Sequence, residues 1–313
     1  MNTLSRFCTL GSVLSLCASA LAQPVDLRGP APQEGETLRT TSVVKTDRGD
    51  LNMSMQGQQM QGQIQTETEN VSLLEYLDVT NSRVDQVRMT TERNRNTTKM
   101  TLLGQEQEQV QGQEIEGVTL TMSRTDEGWD TELGGTPVPP QISDILGQAG
   151  YVDPASLYPA QPVSVGDSWE VSGPELASLM AAAGIPGSSV DGESNFTLKE
   201  IAVIEGARTA VIDYELNMTV KVDMGMPGVD IVIVTDMVGR GKILRRLDNY
   251  TDTNELEGSM VIQTEMSQGG QPMMSMDTSL PVRYSIQTER AGGAQPGVGA
   301  IEEAEDEPAL PRR

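Results

Sequence analysis

The sequence contains no histidine, and its only two cysteines, Cys8 and Cys17, lie within the first 22 residues. A serine or cysteine nucleophile needs a neighbouring base to accept its proton, and histidine most often fills that role. Zinc sites are built chiefly from cysteine and histidine. The residues after position 22 therefore exclude thiolate chemistry, disulfides and the usual zinc sites, and they leave few routes to a hydrolase.

Basic residues are scarce as well, since 22 lysines and arginines stand against 45 acidic residues, for a net charge of −23. Such a charge repels phosphate backbones and anionic membrane surfaces. We therefore expect no nucleic-acid partner. After residue 22, no apolar run approaches the ~20 residues of a membrane-spanning helix, so we also expect no transmembrane segment.

The first 22 residues have the pattern of a secretory signal peptide. Arg6 precedes a short apolar run, and Ala-Leu-Ala at residues 20–22 matches the A-x-A pattern that signal peptidase cleaves. We expect cleavage between Ala22 and Gln23 and a soluble exported protein, in the periplasm or the medium. A lipoprotein interpretation would use Cys17, but the bulky Leu before it is unfavourable.

The rest of the sequence is dominated by alternating polar and apolar residues between turn signals, which is typical of β-strands. It predicts an all-β fold of long antiparallel strands in one or two curved sheets, as a half-barrel or an open sandwich. Hairpin turns are predicted at residues 80–83, 126–128 and 268–271. One or two short helices are expected near the centre, over residues 140–149 and 174–183.

The predicted organisation has six parts. They are a signal peptide (1–22), a flexible leader (23–36), an N-terminal β-rich half (37–136), a Pro/Gly-rich crossing (137–174), a C-terminal β-rich half (175–290) and a disordered acidic tail (291–313). The crossing contains PVSVGDSW at residues 162–169. Gly166 and Asp167 supply a turn there, and Trp169 begins the next packed element.

Two motifs could be interpreted as functional sites, one with a serine as catalytic and one with acidic residues as metal-binding. We prefer a structural interpretation for both. Gly166-Asp167-Ser168 resembles the nucleophile motif of serine hydrolases only superficially, because no lysine has the spacing to act as the base. The cluster of Asp248, Asp252, Asn254 and Glu255 misses the spacing of a calcium loop. We expect no cofactor, no metal and no enzyme activity, although a carboxylate-only hydrolase beside Trp129 or Trp169 stays an alternative.

Methionine is the one unusual enrichment, with 17 residues. Pairs spaced i, i+2 lie on one face of a strand, and there are three: Met53 and Met55, Met224 and Met226, Met274 and Met276. We interpret them as filling a core that has few aromatic residues. Thioethers on one face could instead bind Cu(I). A third interpretation is an adaptable groove, lined by methionine and leucine, for an apolar ligand.

Several stretches together resemble a class of exported bacterial β-rich proteins of unknown function. They are the signal sequence, the alternating strands, PVSVGDSW, GRGKILRRLDNYTDTNELEG at residues 239–258 and the closing hairpin. The strand–turn pattern is also similar to that of periplasmic half-barrel carriers of lipids and lipoproteins. The resemblance implies a curved antiparallel sheet and carries over no functional residues.

The functional prediction is an exported, non-catalytic binding or carrier protein. Its partner is expected to be a lipid or another apolar ligand, or a protein of the cell envelope. The alternatives are a structural component of the envelope or surface and, from a different class, the carboxylate-only hydrolase.

Overall fold

A computed structural model describes residues 23–55, 58–126, 128–135, 151–182, 188–226 and 229–291. The predicted signal peptide, the predicted helix at 140–149 and the predicted tail after residue 291 lie outside the described residues. The strands are β1 (Thr37–Thr46), β2 (Gly49–Met55), β3 (Gln58–Thr80), β4 (Arg83–Leu102), β5 (Gln105–Gln111), β6 (Val118–Arg124), β7 (Trp129–Gly135), β8 (Ser168–Ser172), β9 (Ser188–Ile204), β10 (Ala207–Met226), β11 (Val229–Arg246), β12 (Asp252–Gln268) and β13 (Gln271–Arg290). The α-helix α1 is Gly173–Ala182, and 3₁₀ turns lie at Gln113–Ile115 and Pro154–Leu157.

These 13 strands form a single antiparallel sheet, so the all-β prediction is confirmed. The strand order is β7-β6-β4-β3-β1-β13-β12-β11-β10-β9-β8, with β2 also between β3 and β13 and β5 beside β4. The first and last of the described strands meet in the middle of the sheet, where Leu38 of β1 pairs with Arg290 of β13 and Thr46 pairs with Val282. The two predicted β-rich halves are therefore two sides of one sheet.

Two of the three predicted hairpin turns, at residues 80–83 and 268–271, form where the sequence predicts them, and the third, at 126–128, includes residue 127, which lies outside the described residues. Asn81 and Ser82 have φ values of 53° and 65°, and Gly269 and Gly270 have φ values of 58° and 78°. Two-residue loops with positive φ at both positions match the twist of antiparallel strands, and Asn and Gly adopt that conformation at low cost. Local residue chemistry is enough to place both turns.

Helix α1 begins one residue before its predicted start and ends one residue before its predicted end. The backbone N–H of Ser172 donates to Oε2 of Glu175 at 2.8 Å, and the Ser172 hydroxyl donates to the same oxygen at 2.9 Å. These bonds favour the charged carboxylate and hold the pKa of Glu175 below its usual value. The predicted pairing of Ser172 with Glu175 is thus present. Among the described residues, no helix is long and apolar enough to cross a membrane.

The segment predicted as a flexible leader is packed against the sheet at its start. Val25 exchanges two backbone hydrogen bonds with Val163, at 2.8 and 2.9 Å. Leu27 is only 1% exposed. The Pro- and Gly-rich composition of residues 23–36 gave no indication that these two apolar side chains are packed. The free energy gained by burying them outweighs the conformational entropy of a free leader.

The core lies mainly on one face of the sheet, which we call the apolar face and which carries Tyr214, Leu256 and Leu280. Its main cluster is formed by leucine, isoleucine, valine and aromatic residues from β8 to β12, covered by residues 25–27 and 157–163. Met122 is the only buried methionine among those whose side chains are described. Met218 and Met237 are partly buried and pack against the main cluster, and Met89 packs against two smaller clusters.

Five of the six tyrosines have raised pKa values, because burial disfavours the charged phenolate. Burial raises the pKa of Tyr76 to about 12 and that of Tyr284 to about 12. The pKa values of Tyr151, Tyr158 and Tyr214 are raised in the same direction. In unfolded chains a tyrosine has a pKa near ~10.

The raised values predict alkaline destabilisation. Between the unfolded and folded pKa values, the native protein binds more protons than the unfolded chain, so its stability falls as pH rises through that window. Each such tyrosine removes about 1.4 kcal/mol per pH unit above ~10. We expect the urea midpoint to fall steeply between about pH 10 and about pH 12. Phenolate absorbance that develops fully near ~10 while the circular dichroism stays native would contradict this prediction.

Candidate functional site

The register of the sheet brings six methionines together on the apolar face. Met53 of β2 lies between Met60 of β3 and Met276 of β13 as their direct cross-strand partner. In the neighbouring row, Met274 of β13 lies between Met55 of β2 and Met266 of β12. Directly paired residues point to the same face, with Cβ atoms ~5 Å apart. We call Met53, Met55, Met60, Met266, Met274 and Met276 the methionine patch.

The methionine patch is partly open to solvent. None of its six side chains is buried, and Met55 is 47% exposed. The next row along the strands is closed: Leu51 is 1% exposed and its partner Thr278 is 3% exposed. The patch is therefore a partly exposed apolar surface that lies next to a buried row of the same face.

The two segments of sequence that carry the patch contain no charged residue. Residues 52–65 and residues 266–276 contain only Met, Ser, Gln, Gly, Asn, Ile and Pro, although 21% of the whole chain is charged. Ser54 and Ser275, which pair with each other between the methionine rows, point to the opposite face. Electrostatic attraction therefore contributes little to binding on this face, which leaves apolar contact and the thioether sulfurs.

Four of the six methionines named from the sequence lie in the patch: Met53, Met55, Met274 and Met276. Met224 pairs with Ile231, which in turn pairs with Met266, so Met224 lies three strands from Met274, ~14 Å away at the usual strand spacing. Met226 pairs with Val229 at the end of β10. The register does not bring this third pair into the patch.

Sequence reasoning missed Met60 and Met266. Neither has a methionine two residues away, so the i, i+2 spacing gives no signal for them. Their membership depends on which strands are neighbours, since Met60 reaches the patch through β2 and Met266 through β13. Met60 follows Met53 by only one hairpin, so a predicted β2–β3 hairpin with the right register would have found it.

The opposite face carries a groove of about 1510 Å³ lined by charged side chains. Glu215, Arg240, Glu257 and Arg283 are successive cross-strand partners, so their charges alternate across four strands. Arg240 bonds to Glu215 at 3.2 Å, and both side chains are more than two-thirds exposed. Alternating exposed pairs support strand register and contribute little stability each. We therefore interpret this groove as a solvated ladder of ion pairs.

The acidic cluster near residue 250 is also structural. Asp252 accepts two hydrogen bonds from Nη1 of Arg245, at 3.0 and 3.1 Å. Asn254 accepts a bond from the Tyr214 hydroxyl at 2.8 Å. Burial raises the pKa of Asp252, and the neighbouring Arg245 opposes that rise. Across the described ranges, no three His, Cys, Asp or Glu residues are grouped to hold a metal ion.

The PVSVGDSW stretch forms a turn and an anchor. Oδ2 of Asp167 accepts the backbone N–H of Ser164 at 2.8 Å, and Gly166 has φ 97°. The Ser168 hydroxyl lies 2.9 Å from the hydroxyl of Thr197. Trp169 stacks on Phe196, with ring centroids 5.7 Å apart. These contacts match the structural interpretation of the motif and give Ser168 no base.

Comparison with known proteins found no matching family model and no matching curated protein. Among solved structures, the chain is similar to the COG4313 outer membrane channel from Pseudomonas putida F1, with 8% identity, coverage of 83% of this chain and 97% of that chain, and a TM-score of 0.26. It is also similar to a DUF1329 family protein from Desulfovibrio piger ATCC 29098, with 6% identity, coverage of 83% and 88%, and a TM-score of 0.18. Likeness at these scores carries no conclusion about function.

Proposed function

We propose that the protein is a non-catalytic binding or carrier protein that holds the acyl chain of a lipid on its methionine patch. The observation that carries the proposal is the side-by-side placement of six partly exposed methionines on one sheet face. Methionine side chains are flexible and polarizable, and they adapt to apolar ligands of variable shape.

The dimensions and polarity of the surface support an acyl chain as the ligand. The patch crosses four adjacent strands, from Met60 of β3 to Met266 of β12. That corresponds to ~14 Å at the usual strand spacing, which is long enough to contact a large part of an extended acyl chain. No charged residue occurs in the segments 52–65 and 266–276 that carry the patch. A large exposed apolar patch on a soluble protein commonly marks a binding site.

The proposal that the protein is non-catalytic is supported by the contacts of a buried carboxylate and of the two tryptophans. Burial raises the pKa of Asp252, and Arg245 donates hydrogen bonds to both its carboxylate oxygens. Trp129 contacts Tyr151 and the Arg124 guanidinium, and Trp169 contacts Phe196. A buried pair of carboxylates beside either tryptophan, which a carboxylate-only hydrolase needs, does not occur among these contacts.

The direct test is mass spectrometry of the protein purified gently from its own cells, first under native and then under denaturing conditions. The proposal predicts an added mass that is released as lipid on denaturation. A bare monomer that also fails to take up a fluorescent fatty acid would contradict it. That outcome would favour the alternative of a structural envelope component, which crosslinking in intact cells would then detect.

A charge placed in the patch is expected to abolish acyl-chain binding. Met276→Glu puts a carboxylate in the centre of the methionine rows, and an acyl chain would have to desolvate it, which costs several kcal/mol. The measurement is a titration with a fluorescent fatty acid. The matched control is Ser275→Glu, which adds the same charge one residue away on the opposite face. Equal loss of binding in both variants would show that the patch is not the site.

A further inference from the structure

We propose that the methionine patch also binds a soft monovalent cation, Cu(I), through its thioether sulfurs. The primary ligands are Met53, Met60 and Met276, which are consecutive partners across three adjacent strands. This inference uses the same surface as the proposed function but does not depend on lipid uptake.

The geometry of the row allows three sulfurs to converge. Met53 is the central residue, and its two partners stand ~5 Å away on either side at the level of Cβ. A methionine side chain has three rotatable bonds, so the outer sulfurs can turn towards the central one. Met55, Met274 and Met266 repeat the arrangement in the next row. The sheet therefore holds two adjacent triplets of thioethers.

The chemistry of the ligands selects the ion. Thioether sulfur is a soft ligand that suits Cu(I), whereas carboxylate, carbonyl and water suit Ca²⁺ and Mg²⁺. No acidic residue occurs within residues 52–65 or 266–276, and the chain has no histidine. A divalent ion that needs carboxylate or imidazole ligands finds none within these two segments. Cu(I) and its redox-stable analogue Ag(I) are the ions that this surface suits.

Packing against the main core distinguishes the patch from another methionine row of the sheet. Met218, Met237 and Met260 form a second cross-strand row of three. Met218 and Met237 pack against the main core cluster. The methionines of the patch lie outside that cluster. The row of Met218, Met237 and Met260 therefore provides an internal control with the same chemistry.

The test is native mass spectrometry of the delipidated protein titrated with Ag(I), with a Cu(I)-chelator competition for affinity. The double variant Met53→Leu and Met274→Leu keeps volume and apolar character but removes the central sulfur of each triplet. We expect it to lose more affinity than the roughly tenfold to hundredfold that loss of an outer-shell partner costs a metal site. The control, Met237→Leu with Met260→Leu, should bind as the wild type does. Such swaps usually cost less than ~1.5 kcal/mol of stability, so both variants should fold.

The pH dependence provides a second readout. Thioethers carry no proton to displace, so binding should be unchanged between about pH 4 and about pH 8, unlike binding by thiolate, imidazole or carboxylate. No retained Ag(I), equal loss in both double variants, or release on mild acidification would each overturn the inference. The leucine variant should still bind the fluorescent fatty acid. If the wild type binds the fatty acid but not Ag(I), only the copper proposal fails. If it binds Ag(I) but not the fatty acid, only the carrier proposal fails.

Discussion

Replacing Arg245 by methionine is expected to destabilise the protein by about 3–5 kcal/mol, the usual cost of removing one partner from a buried ion pair. The guanidinium side chain is only 5% exposed, and its partner Asp252 is 19% exposed. Without Arg245, Asp252 would have to stay charged in a poorly solvated site or take up a proton. Either adjustment lowers the free energy of unfolding.

Arg245 also joins distant parts of the chain. Its Nε donates to the carbonyl of Leu27 at 3.0 Å, and its Nη2 donates to the carbonyl of Arg28 at 3.1 Å. The guanidinium lies over the ring of Tyr158, 4.6 Å from its centroid. Methionine can fill part of this space but cannot donate any of these bonds. The packed N-terminal segment should therefore loosen together with the loss of stability.

The measurement is urea unfolding followed by circular dichroism, with limited proteolysis of residues 23–36 as a local readout. The control is Arg246→Met on the neighbouring residue, whose 3.4 Å contact with Asp248 lies nearer the surface. Such exposed pairs contribute ~0–1 kcal/mol. A destabilisation below about 1 kcal/mol for the Arg245 variant would refute the assigned role.

The Gly258→Ala variant is expected to lose about 3 kcal/mol or more, at or above the upper end of the cost of overpacking. Gly258 of β12 pairs with Gly239 of β11 in the middle of the sheet. A Cβ atom at Gly258 would collide with the backbone carbonyl oxygen of Val238 and lie 2.8 Å from the Cα of Gly239. Backbone atoms cannot rotate away as a side chain can, so the two strands would have to separate.

The position of the pair makes that separation costly. The β11–β12 ladder continues on both sides of Gly239 and Gly258, from the pair Arg245–Asp252 to the pair Asp230–Ser267. A local opening would disturb the main core at one end and the rows next to the methionine patch at the other. We therefore expect loss of stability together with weaker fatty-acid binding.

The matched control for this substitution is Gly134→Ala in β7. Among the described residues, a Cβ at Gly134 would meet only the carbonyl oxygen of Thr119, at an ordinary 3.6 Å. Alanine is intrinsically better in a strand than glycine by about 0.5–1 kcal/mol, so this change should be neutral or mildly stabilising. Urea midpoints of the two variants give the comparison. Similar midpoints would mean that the close approach of β11 and β12 does not limit stability.

Local features of the fold were predictable because a few adjacent residues determine them. The turns at Asn81-Ser82 and Gly269-Gly270 depend on residues that adopt positive φ. The start of α1 depends on Ser172 and Glu175, which are three residues apart. The alternation of polar and apolar residues was enough to identify an all-β chain. Each of these signals lies within a short window of sequence.

The packing of residues 23–29 could not be predicted in the same way. Val25 pairs with Val163, and Leu27 and Arg28 receive hydrogen bonds from Arg245. These partners are more than a hundred residues away, and a Pro- and Gly-rich composition is equally compatible with a free leader. Only the assembled sheet supplies the surface that buries Leu27.

The candidate site, too, was predictable only where local sequence determines it. The sequence by itself determined that histidine is absent, that charge is missing around residues 52–65 and 266–276, and that three methionine pairs each share a strand face, since these are properties of composition and of short spacing. The tertiary structure alone decided that β13 lies beside β2, which adds Met276 to the hairpin neighbours Met53 and Met60, and that Met224 lies three strands from Met274. Pairing between strands distant in sequence is selected by the packing of the whole sheet, so no local pattern could have specified it.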